Sequence, residues 1–179
     1  LGDNISISPA FNTILGFTEA DVNAILDYYI SVGELKLEKE TALQTMRKWY
    51  NNYQFSEACE NPVYNTDAIL YFVKEAIRDK KIPSQLIDDN LRMDYGKLQY
   101  LIIQDKALNG NFKRLSEIIN NRGIPSEIKK SFPFDQITQQ DNFISLLYFF
   151  GLLSFSGTYV EGLPFLHIPN ETIKQMVFE

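Results

Sequence analysis

The sequence predicts a mainly α chain, with a helical region over residues 1–130 followed by a winged-helix-like module with one β-hairpin over residues 131–179. Three observations carry this. Apolar residues recur at helical spacing through the first two thirds. The texture changes near residue 130, where an apolar helix pattern gives way to two short apolar runs around a glycine-containing turn. A capped helix then closes the sequence. Helix, strand, tight wing, strand, helix is the order of a winged-helix module.

Taken in order, residues 1–17 lack helical periodicity, and Pro9 and the Gly16-Phe17 step read as an ordered lead-in. Thr18 caps a first helix, with Asp21 three residues on to complete a capping box. Val22, Ile25, Leu26 and Tyr29 form its inner stripe and Gly33 stops it. A second helix runs from about Glu38 to Asn51 on Leu43, Met46 and Tyr50, with Trp49 and Tyr53 beside that stripe. Residues 54–64 read as a loop. Asn65 or Thr66 caps a third helix whose inner face is Ile69, Phe72, Val73, Ala76 and Ile77, the clearest amphipathic pattern in the chain.

Pro83 and Asp88-Asp89-Asn90 break the next stretch. Asp94 caps a short helix carrying Leu98, Leu101 and Ile102, and another helix bears Phe112, Leu115, Ile118 and Ile119 before Gly123 ends it. Ser126 to Phe134 reads as a short strand or an extended connection, and Gln139 to Phe150 as a strongly apolar helix closed by Gly151. Residues 152–156 form a strand, 157–162 a turn region and 164–168 the returning strand. Asn170 caps a last helix with Ile173, Met176 and Val177.

Composition excludes several function classes. The chain has one cysteine, Cys59, so no disulfide scaffold holds it together, which fits a reducing compartment. The most apolar run, Phe143 to Phe155, is shorter than the roughly 20 residues a membrane-spanning helix needs. Net charge is −6, which argues against a general nucleic-acid coat. Only the middle is basic: residues 61–130 hold 9 acids and 12 bases, whereas residues 1–60 hold 9 and 4, and residues 131–179 hold 5 and 1. Its cations include Lys80, Lys81, Arg92, Lys97, Lys113, Arg114, Lys129 and Lys130, which read as solvated helix faces in preference to a phosphate-binding surface. The helix before the wing carries Gln139, Gln140, Asp141, Asn142 and Ser145 and no base, so the module is expected to pack on protein and not on DNA.

No catalytic, cofactor-binding or metal-binding residue is expected. The only Gly-Lys step, Gly96-Lys97, is followed by Leu98 and lacks the upstream glycine of a phosphate-binding loop. His167, the single histidine, lies between Leu166 and Ile168 in a strand pattern, and one cysteine with one histidine cannot close a zinc site. Two Glu-x-Lys triplets, Glu34-Leu35-Lys36 and Glu127-Ile128-Lys129, lack the buried strands that would hold them against an aspartate and a magnesium ion. Leu1 in place of methionine, and Glu179 inside a helical pattern, lead us to expect a piece of a larger cytoplasmic protein.

Several segments in this order and spacing resemble a known family. They are Leu15-Gly16-Phe17-Thr18-Glu19; Lys48-Trp49-Tyr50-Asn51-Asn52-Tyr53-Gln54-Phe55 with Val63-Tyr64-Asn65; and Asp141-Asn142-Phe143, Gly151-Leu152-Leu153 and Ile168-Pro169-Asn170. Over residues 1–75 and 131–179 the chain resembles the part of the bacterial AAA-ATPase-like family that follows the P-loop. Members of that family commonly carry a PD-(D/E)XK nuclease-like domain further on. Asn52 stands where the family usually has glycine and Thr66 where it usually has proline. Asn tolerates a left-handed backbone better than other non-glycine residues, so the turn is expected to survive.

The resemblance implies a lid-like helical region that couples nucleotide state to a partner or neighbouring domain. It further implies that ATP and magnesium bind a preceding P-loop core, and that this core and a following nuclease-like domain are the partners. Trp49, Tyr50, Tyr53, Tyr64 and Asn65 are the structural or interface candidates. They serve either to lock the second and third helices together or to contact the ATPase core. A nucleic-acid-binding or nuclease-associated segment using residues 61–130 is the alternative.

Overall fold

A computed structural model describes residues 7–59, 61–89, 91, 111–131 and 140–178. Among them, six helices accompany two small antiparallel sheets. The reading of a mainly α chain with one hairpin understates the strands. The expected hairpin is present, but a third strand joins it, and a separate two-stranded ribbon forms near the N-terminus. No helix among the described residues is long and apolar enough to cross a membrane.

The first three helices start where local chemistry satisfies their free N–H groups. Helix α1 (Glu19–Ser31) has the expected capping box, with the Thr18 N–H donating to Asp21 at 2.8 Å and the Asp21 N–H donating to Thr18 Oγ1 at 3.2 Å. Helix α2 (Lys39–Tyr50) is capped by Glu38, whose two carboxylate oxygens accept from the Glu40 and Thr41 N–H groups at 3.0 and 2.6 Å. Helix α3 (Thr66–Asp79) starts at Asn65, whose Oδ1 accepts from the Ala68 N–H at 2.9 Å, and stops where Lys80 turns left-handed. Strand β1 (Gly16–Phe17) pairs antiparallel with β2 (Tyr64–Asn65), tying the start of α1 to the start of α3. The segment read as a loop is therefore partly paired, because Tyr53 and Val63 also form an isolated antiparallel bridge.

Helix α4 (Asn111–Asn121) buries Ile118, while Ile119 beside it is exposed. Of the two readings of Ser126 to Phe134, a short strand or an extended connection, the described residues 126–131 carry no strand, and β3 precedes them at Gly123–Pro125. Gly123 does not stop the helix. Arg122, at φ 58°, takes the left-handed position, and Gly123 pairs with His167. Residues 132–139, including the end of that stretch and Gln139, lie outside the described residues, as do Asp94, Leu98, Leu101 and Ile102.

Helix α5 (Gln140–Phe149) leads to β4 (Ser154–Val160) and β5 (Leu163–His167). The wing is tighter than the expected 157–162 turn. Glu161 at φ 53° and Gly162 at φ 83° form a two-residue connection, the geometry that matches the twist of a hairpin. Sheet order is β3-β5-β4, with a register shift in β4 between Phe155 and Tyr159. Asn170 caps α6 (Glu171–Ile173) as expected, and the chain continues as a wide π-helical turn through Lys174–Phe178.

Two hydrophobic cores result, and they share no buried side chain. One joins α1, α2 and α3 through Val22, Leu26, Met46, Ile69 and Phe72. The other joins α4, α5, α6 and the three-stranded sheet through Ile118, Ile144, Leu147, Leu166 and Ile173. The second core also takes Tyr53 and Val63 from the first half of the chain, and β3 enters its sheet from before residue 130.

Candidate docking surface

The five candidate residues lie where the chain crosses between the cores, and they divide between them. Tyr50 and Tyr64 are buried in the first core; Tyr53 is buried in the second. On either side of β2's start, Val63 faces the second core and Tyr64 the first, as alternating residues of an extended chain must. Trp49 is half-buried against the first core.

Tyr50 packs α2 against α3. Its ring meets Phe72 edge-on at 6.2 Å, and its hydroxyl donates to the Leu86 carbonyl at 2.7 Å. Burial, and then the nearby Tyr71, push its pKa up, so the phenol stays protonated. Tyr64 instead reaches α1. Its hydroxyl donates to Glu19, which also accepts from Arg47 Nε at 3.0 Å, and Arg47 reaches Glu40 at 3.3 Å. Burial works to raise the Glu19 carboxyl, but the hydrogen bonds from Arg47 and Tyr64 outweigh it and hold the group below the usual carboxylate value. Arg47 and Glu19 lie 28 positions apart, and no local spacing marks them as partners.

Tyr53 stacks nearly parallel on Phe55, with centroids 6.3 Å apart. Asn52, between the two cores, has φ 71°, the left-handed conformation anticipated for it. The polar backbone around these residues is tied to the second half of the chain. Gln54 N–H donates to Ser154 Oγ at 2.7 Å and Tyr148 Oη to the Phe55 carbonyl at 2.8 Å.

Above this crossing lies an open groove of about 210 Å³, lined by Tyr53, Phe55, Tyr64, Asn65, Leu15 and Phe150 among others. Its rim is apolar and solvent-facing: Leu15 is 75% exposed, Phe150 42% and Phe149 38%. Phe149 ends α5 and Phe150 follows it, and both face water where Gly151, at φ 72°, turns the chain. No known protein family, curated protein or solved structure matches this chain.

Among the described residues, the other candidates for chemistry are not brought together. His167 lies in the central strand β5, between partners on β3 and β4, and burial lowers its pKa so that the imidazole stays neutral. Neither Glu-x-Lys triplet falls in a strand. The described residues contain no cluster of three or more His, Cys, Asp or Glu side chains placed to hold a metal. Of the basic middle, Arg78 pairs with Glu75 and Asp79, and Lys113 lies 3.9 Å from Glu117; Arg92 and Lys97 fall outside the described residues. A second groove of about 360 Å³ runs along α3 beside Leu70, Tyr71, Lys74 and Asp88.

Proposed function

We propose that this chain is the non-catalytic, lid-like helical and winged-helix-like part of an AAA-type ATPase, docking on a P-loop core and coupling its nucleotide state to a neighbouring domain or partner. The observation that carries the reading is the exposed apolar rim of Leu15, Phe149 and Phe150 around the groove. Contiguous apolar surface of this kind marks an interaction site more often than a solvated one. Leu15, Tyr53, Phe55, Val63, Tyr64, Asn65 and Gly151, which belong to segments on which the family resemblance rests, line that groove. The winged-helix-like reading draws support from β3 completing a sheet with the β4–β5 hairpin directly after α5.

ATP and magnesium would bind the core and not these residues, and the nuclease-like domain would follow them. The nucleic-acid alternative has less behind it. In α5, Asn142 and Ser145 are buried, and Ser145 Oγ accepts from the Lys129 N–H at 2.9 Å, so these polar side chains serve the fold and do not face a groove of DNA.

Calorimetric titration with Mg-ATP tests the proposal. The 179-residue chain should bind no ATP, and a chain extended N-terminally through the P-loop should bind it. Leu15→Ser with Phe150→Ser in the extended chain should then alter ATP affinity or turnover without unfolding it. Tight ATP binding by the 179 residues alone would overturn the reading.

A further inference from the structure

The two cores are joined by a polar clasp. Helix α2 ends at Tyr50, leaving carbonyls without helical donors. Three side-chain amide or hydroxyl groups close the gap between that end and the start of α6. Thr172 Oγ1 donates to the Trp49 carbonyl at 2.6 Å, Asn170 Nδ2 to the Asn51 carbonyl at 2.8 Å, and Asn52 Nδ2 to the Pro169 carbonyl at 3.0 Å. Asn170 and Thr172 are buried. Asn170 acts twice, because its Oδ1 also accepts from the Ile173 N–H at 3.1 Å and caps α6.

We infer that this clasp is the latch of a joint about which the helical body (α1–α3) and the sheet body (α4–α6 with β3–β5) part and close. Each body keeps its own apolar core, so separating them unpacks neither. Among the described residues the chain enters the first body after Asn12, whose side chain bonds Phe55 and Asn61, passes to the second at Asn51–Tyr53, where Asn52 is left-handed, and returns at Val63–Tyr64. A few residues at element ends are what a hinge requires. The groove spans the joint: Leu15, Tyr64 and Asn65 line it from the helical side, and Phe55, Phe149 and Phe150 from the sheet side. Opening the latch therefore reshapes the groove, and an occupant touching both walls favours the closed form. This goes beyond the docking proposal and does not depend on who the partner is.

Asn170→Asp separates the two duties of the residue. A carboxylate still accepts from the Ile173 N–H and caps α6 well, but it cannot donate to the Asn51 carbonyl. With Cys59→Ser as background, spin labels at the exposed positions Ser31 and Thr158 report the distance between the bodies by pulsed electron resonance. The parent should give one narrow distance. Asn170→Asp, and separately Thr172→Val, should raise the population of a second, longer distance on the order of tenfold while helix content is retained. Glu38→Gln, which changes the α2 cap at the end of that helix away from the clasp, should leave the distribution unchanged. An unchanged single distance in both latch variants would overturn the inference, and so would loss of helix content in both, since the clasp would then be inseparable from folding. Either result leaves the ATP-binding test of the docking proposal standing.

Discussion

The Tyr64 hydroxyl, on β2, donates a hydrogen bond to the Glu19 carboxylate in the first turn of α1, 45 positions earlier in the chain. Arg47 of α2 donates to the same carboxylate, so one acid collects the ribbon and two helices. Tyr64→Phe keeps the buried ring and removes only the donor. It should cost about 1 kcal/mol in urea unfolding at pH 7, the scale of one hydrogen bond at a partly solvated site.

Acid should reveal the same contact. The folded Glu19 carboxyl lies below its ordinary value of 4.5, so the stability it contributes is complete above that pH and is lost as pH falls through the folded value. Arg47→Met removes the principal cause of the depression. Its stability-versus-pH curve should be shallower than the parent's below pH 4.5 and parallel to it above. Both partners are well exposed, which keeps the difference small.

Gly123 should not tolerate a side chain. A Cβ built there meets the Leu166 carbonyl oxygen at 2.3 Å and the Phe165 ring at 2.6 Å. The carbonyl belongs to the paired strand and cannot move without breaking the β3–β5 ladder. Gly123→Ala is expected to cost about 2–3 kcal/mol or more by overpacking. At Gly33 a Cβ meets nothing within 4 Å and only the φ of 76° resists it, so Gly33→Ala should cost about 1 kcal/mol. Thermal unfolding of the two variants side by side checks the order.

These positions show what was legible in the sequence. Thr18 with Asp21, Asn65 and Asn170 were readable as caps because capping is settled within three residues. Glu38 was not, since Glu is an unusual cap, and β1 and β2 are too short for any period to show. Gly123 looked like a helix stop, because the steric demand on it comes from Phe165 and Leu166, far along the chain. The aromatic candidates were recognisable as a group, but their division between two cores was not. That division depends on the Tyr53–Val63 bridge and on which face each residue takes from it. Phe149 and Phe150 read only as the end of a strongly apolar helix, because apolarity alone cannot tell a buried helix end from an exposed one.

That rim should be separable from the core by mutation. Leu15→Ser and Phe150→Ser remove apolar groups that already face water, so each should change unfolding free energy by no more than about 0.5 kcal/mol. Binding of a dye that brightens on apolar surface should fall in both. Leu147→Ala, in the second core, should instead cost about 2–5 kcal/mol. If the rim variants lose comparable stability, the patch is part of the fold and not a surface held open for a partner.

His167 offers the cleanest pH test, because it is the only histidine and no other side chain in the chain ordinarily titrates between pH 5 and 7. Burial depresses its folded pKa below the ordinary 6.5. In the window between those two values the unfolded chain binds a proton that the folded chain refuses, so stability must rise with pH there. Stability should be level well above pH 6.5 and fall as the solution is acidified below it, down to the folded imidazole's own, lower value. His167→Gln should flatten that step while leaving the low-pH limb set by Glu19 in place. Persistence of the step in the variant would mean that a group other than His167 is titrating, and that the sheet tolerates the protonated imidazole at β5.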